Sequence, residues 1–170
     1  SYYLNNISYF MCWSFISLGL AVIWGMGGVL SFGQTAFFGL AGYSFSVISI
    51  NFLGTTGVGI WSPILALLIT GLFGLIVGYF LFYGGIYDVF IGIVTLAITL
   101  VFETFMQQTA GPEYAIGEAR LNGFNGMQGM PTIGFQDLQF GILEGVTQYY
   151  IILLVAAISR YCLYQIKNYK

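Results

Sequence analysis

The stretch Pro63–Phe82, PILALLITGLFGLIVGYFLF, decides the fold: it holds no charged side chain, and 13 of its 20 residues are Leu, Ile, Val or Phe. As a helix rising about 1.5 Å per residue it reaches about 30 Å, the thickness of a bilayer's hydrocarbon core. At roughly 0.45 kcal/mol for each large apolar residue it gains about 6 kcal/mol on insertion, so it spans without help. Ser62 suits an N-cap and Pro63 the first helical position. The stretch is bounded upstream by a turn signal, Gly54-Thr55-Thr56-Gly57-Val58-Gly59, and downstream by a Tyr83-Gly84-Gly85 hairpin.

Outward from that helix the same character continues. No Asp, Glu, Lys or Arg occurs from Ser1 to Tyr87, and the whole chain is 58% hydrophobic and 6% charged, with a mean hydropathy of +0.88. A water-soluble domain with such a surface would aggregate, so hydrocarbon is the solvent. The expected fold class is all-α, a polytopic integral membrane bundle of about five transmembrane helices forming a single domain over 1–170. The helices are expected at about 7–24, 35–52, 63–82, 87–108 and 149–165. Between the first two, Gly25 to Gln34 carries four glycines and two polar side chains, which favours a break. The fourth helix contains Glu103, costing about 3 kcal/mol at the bilayer centre, but its 11 Leu, Ile, Val and Phe residues return about 5 kcal/mol. From 110 to 145 hydrophobicity collapses and four of the six acids appear with Arg120, giving an external connection.

Arg160, Lys167 and Lys170 follow the last span, so the positive-inside rule puts the C-terminus in the cytoplasm. Five crossings then place the N-terminus and the 110–145 loop outside. Absence of histidine excludes His-based zinc sites, Ser-His-Asp triads and His proton shuttles. A net charge of −2 offers no basic footprint for nucleic acid. Cys12 and Cys162 fall on opposite membrane faces, which speaks against a disulfide. No nucleophile–base pair and no metal cluster is visible, so neither an enzyme nor a resident cofactor or metal is expected. The chain begins at Ser1 rather than Met and is expected to be a piece of a longer protein.

Two features carry functional weight. Asp88, Gly92, Thr95, Thr99, Glu103 and Gln107 recur every three or four residues and share one face of the fourth helix. Such a face either lines a solute path or forms a helix–helix seam in which Thr and Gln act as hydrogen-bonding glue. The glycine-rich break with Ser31 and Gln34 is either unwound backbone at membrane depth, where transporters place binding sites, or an ordinary turn. Gly71, Gly74 and Gly78 on one side of the third helix read as packing. In the loop, Asn122 to Pro131 contains two Asn-Gly turn signals and lacks the Gly-Lys-Ser/Thr ending of a phosphate loop.

These residues resemble a known family, the permease subunits of branched-chain amino acid ABC importers, with urea-type permeases as relatives. Trp24 to Tyr43, WGMGGVLSFGQTAFFGLAGY, is similar to the family's G-Y-x-G-L-L-S-x-G-x-x-A-F-F-G-x-G-A-Y signature. Gly85-Ile86-Tyr87 with Ile93-Val94-Thr95-Leu96-Ala97 resembles its G-x-Y-F-A-I-V-T-L-A, and Asn122 to Pro131 its external N-G-F-N-G segment. The resemblance implies a permease domain in the cell inner membrane, partnered by a second permease subunit, ATP-binding subunits and an external solute-binding protein. It also implies a basic ATPase-docking segment and further helices after the fifth span. The implied motif positions are Ser31, Gly33, Gln34, Ala36 and Phe37, then Tyr87, Thr95 and Ala97, then Asn125 and Gly126.

The resulting expectation is part of a translocation path for a branched-chain amino acid or similar small polar solute, worked by alternating access. The path residues are expected to be Ser31, Gly33, Gln34, Phe37, Thr95, Thr99, Glu103 and Gln107. Asn122, Phe124, Asn125 and Gly126 are expected to contact a partner outside. Two alternatives stay open: a secondary transporter or channel relaying charge through Asp88 and Glu103, or a structural membrane subunit of a larger complex.

Overall fold

A computed structural model describes residues 2–56, 61–87, 89–130 and 146–168. It contains helices α1 (Tyr2–Gly27), α2 (Gln34–Thr56), α3 (Trp61–Tyr83), α4 (Val89–Gln107) and α5 (Val146–Asn168). After α4 come a two-stranded antiparallel hairpin, β1 (Ala115–Ile116) and β2 (Ala119–Arg120), and a 3-10 turn at Gly123–Asn125. Four helices hold stretches long and apolar enough to cross a membrane, Tyr9–Gly27, Gln34–Phe52, Trp61–Tyr83 and Val89–Gln107. In α5 the apolar stretch is shorter, Ile152–Tyr161, although its 23 residues reach about 34 Å. Asp88, residues 57–60, Pro131 and the rest of the expected loop to 145 lie outside the described residues.

The helices overrun several of the expected ends. α1 has 26 residues and continues through Gly25 to Gly27, narrowing the break to Gly28–Gly33. Glycine costs about 1 kcal/mol in a helix, less than leaving amides unpaired in hydrocarbon. The same balance keeps Gly54, Thr55 and Thr56 inside α2 rather than in the expected turn.

Packing is inverted relative to a soluble protein. Leu67, Leu68, Leu72, Leu75 and Phe80 of α3 all face outward, whereas Ser62 and Ala66 on the same helix are buried. Ser46 and Ser49 of α2 are each 1% exposed. Lipid tails are as apolar as leucine, so large side chains gain nothing by turning inward; small ones do, because they let backbones approach and hydroxyls bond. The α2–α3 seam shows this at Gly74, where a side chain would come within 3.6 Å of the Phe37 ring. Gly71 and Gly78 have no such neighbour among the described residues.

Contacts along the helices set their directions. Trp13 of α1 meets Phe38 of α2 at 6.2 Å, and the side chain of Gln34 reaches back to Gly19, so α1 and α2 run antiparallel. Gly33 abuts Thr95, and Phe37 is linked through Phe73 to Phe102 at ring distances of 5.7 and 6.2 Å. α2 and α4 therefore run the same way, with α2 entering beside the middle of α4. The far end of α2 carries the hairpin: Asn51 Nδ2 donates to Ile116 O at 2.8 Å, and Glu118 N–H donates to Asn51 Oδ1 at 2.9 Å.

Asn51→Ala removes both of those bonds, and at about 1 kcal/mol each it is expected to loosen the hairpin. Hydrogen exchange checks this: the Glu118 amide should exchange faster while Thr95 and its neighbours in α4 keep their protection.

Candidate translocation site

The break begins where Gly28, at φ +68, takes the left-handed conformation that closes a helix, its N–H donating to Trp24 O at 3.0 Å. From there to Gly33 the chain is neither helix nor strand, and its backbone groups need partners from elsewhere. Phe32 N–H donates to Thr95 Oγ1 at 3.0 Å. Thr99 Oγ1 lies 3.2 Å from Phe32 O and 3.0 Å from Thr95 O, sharing its one proton between them. Thr95 Oγ1 sends its own proton back to Ile91 O or Gly92 O, at 2.8 and 3.0 Å. Ser31 Oγ accepts from Gly33 N–H at 3.3 Å.

That docking depends on Gly92. A side chain there would approach Leu30 O to 3.2 Å, a tight contact that would push the segment a few tenths of an ångström off α4. Thr99 sits near the middle of the 19-residue α4, about 15 Å from its start and about 12 Å from its end. Unwound backbone is thereby held at mid-depth of the bundle, where protein must satisfy it.

Above this joint, toward the hairpin, α2 and α4 diverge around a cleft of about 340 Å³. Thr35, Ala36, Gly39 and Tyr43 line it from α2; Thr99, Phe102, Glu103, Met106 and Gln107 line it from α4; Gly123 and Phe124 of the 3-10 turn close its top. Gln107 Nε2 donates to Glu103 Oε1 at 3.1 Å. A second cavity of about 370 Å³ lies against it, lined by Ser46, Asn125, Gly126, Met127 and Met130 among others, with Gly39 and Tyr43 common to both. The turn between them is built by Asn122, which adopts φ 62 and donates from Nδ2 to Gly126 O at 3.0 Å.

The residues singled out by sequence thus fall into groups. Thr99, Glu103, Gln107 and Phe124 come together in the cleft. Ser31, Gly33 and Thr95 are buried at the joint beneath it, so Thr95 binds backbone. Gln34 turns toward α1 and Phe37 toward Phe73, away from the cleft lining. Asn125 and Gly126 line the second cavity, and Asn122 shapes the turn. Sequence reasoning missed Thr35, Gly39 and Tyr43, although their spacing of four residues puts them on one face of α2. Among the described residues no cluster of metal-ligating side chains occurs.

Comparison with protein families matches residues 2–165 to the family described as branched-chain amino acid transport system, permease component. The chain belongs to that permease family. It is a multi-pass membrane component of transport, and its family is one of transport components rather than an enzyme class. Comparisons with curated proteins and with solved structures found no match.

In this permease Thr95→Val leaves the part-buried Phe32 N–H unpaired and should lower stability by about 1 kcal/mol, while Thr95→Ser retains most of it. Unfolding in bicelles by added SDS measures the difference.

Proposed function

We propose that the chain is a permease subunit of an ATP-driven importer and forms part of the path for a branched-chain amino acid or similar small polar solute. Its partners are a second permease subunit, ATP-binding subunits and an external solute-binding protein, and its place is the cell inner membrane. The observation that carries this proposal is the cleft. Thr99, Glu103 and Gln107, which would cost free energy against lipid, are gathered with Thr35 and Tyr43 around a space sized for a small solute. The family match over residues 2–165 supplies the transport context.

The geometry supports an alternating-access mechanism. The joint of Phe32 with Thr95 and Thr99 forms the floor of the cleft, and the 3-10 turn with Phe124 forms its roof. A solute entering past the roof passes on only if α2 and α4 separate at the floor. The chain has two arrangements at that seam, and ATP binding on the partner subunits changes their populations. Ser31, Gly33, Gln34, Phe37 and Thr95 act through the joint, while Asn122, Phe124, Asn125 and Gly126 present the external surface to a partner.

Gly39→Leu tests the path. A Cβ at Gly39 meets nothing within 4 Å, and a leucine there projects into space shared by both cavities. Uptake of leucine by the assembled importer is expected to fall to background with assembly intact, to require ATP, and to survive collapse of the proton gradient. Full uptake by Gly39→Leu would contradict the path.

A further inference from the structure

The cleft's chemistry is one-sided. Among the described residues its lining contains one formal charge, the Glu103 carboxylate, and neither lysine nor arginine. Gln107 occupies Glu103 Oε1, and Oε2 has no hydrogen-bond or ion-pair partner among the described residues. Three aromatic residues, Tyr43, Phe102 and Phe124, share the lining. Aromatic faces and a carboxylate both attract an organic cation. The other polar groups, Thr35, Thr99 and Tyr43, carry neutral hydroxyls that cannot balance the charge of a carboxylate, and the Thr99 proton is already shared between Phe32 O and Thr95 O.

From this we infer that the cleft recognises the ammonium group of its solute through Glu103, and that the solute's carboxylate is dispensable for binding there. The aliphatic part of the solute then lies against Ala36, Met106 and Phe124. The inference rests on the permease proposal above, and it assigns what that proposal leaves open: which end of the solute the membrane subunit reads. An unpaired anion inside a span also repels anions of similar size, so the same residue selects against deaminated relatives of the solute.

Occupancy of the cleft can be read without transport. In the assembled complex in nanodiscs, with Cys12 and Cys162 replaced by alanine and no binding protein added, Met106→Cys places a thiol in the cleft wall. Leucinol keeps the ammonium and lacks the carboxylate; 4-methyl-2-oxopentanoate keeps the carboxylate and lacks the ammonium. Leucinol and leucine are expected to slow labelling of the thiol, and the oxo acid to have no effect. Adding Glu103→Gln should raise the leucinol concentration needed by at least about tenfold, with Glu103→Asp between, while labelling without ligand stays unchanged. Equal protection by the oxo acid, undiminished protection with Glu103→Gln, or no protection by leucinol overturns the inference. Leucine uptake by the unmodified importer, measured separately, decides the permease proposal itself.

Discussion

A peptide group inside a bilayer has no water to bond, and the segment Gly28–Gly33 must find its partners in the protein. Thr95 and Thr99 meet that demand by taking the N–H and the carbonyl of Phe32. With those two bonds in place α2 can begin beside the middle of α4 instead of at a membrane face. The cleft above the joint follows: from there α2 and the second half of α4 run side by side toward the hairpin and leave a space between them. Had α1 and α2 been joined by a turn at the bundle's end, that space would be filled by an ordinary helix–helix seam.

Inverted packing serves the same end. Small residues inside allow close backbones at Gly92, Gly33 and Gly74, and large apolar residues outside match the lipid. A seam held by a few hydroxyl bonds and little apolar burial separates at modest cost, whereas interlocked leucines would resist. The joint therefore suits a transport component, which has to exist in two arrangements of similar free energy. At the other end, Asn51 ties the hairpin to α2 and Asn122 ties the 3-10 turn to itself, so the roof of the cleft is a built structure.

The membrane class and the helical bundle were legible because hydrophobic runs such as Pro63–Phe82 admit one physical interpretation. The polar face of α4 was legible from spacing, since Thr95, Thr99, Glu103 and Gln107 could not face lipid. Position divides that face: Gly92 and Thr95 lie in a seam, and Thr99 joins it to the cleft that Glu103 and Gln107 line. What spacing could not reveal is the partner of each residue. Gln34 sits in a motif beside Thr35, yet one turns to α1 and the other to the cleft, a distinction of about 100° around a helix. Nor do two-residue strands leave a periodic signal, so the hairpin at Ala115–Arg120 was hidden in a stretch distinguished only by polarity.

The central claim is that the α2–α4 cleft is a wet, protein-lined space within the membrane. Single cysteines placed along α4 in a background lacking Cys12 and Cys162, then exposed to a membrane-impermeant thiol reagent in the assembled complex, test it most directly. Labelling at positions 99, 103 and 107, with positions 100, 101 and 105 protected by lipid, is the predicted pattern. Labelling confined to position 107, or spread without regard to helix face, would contradict it.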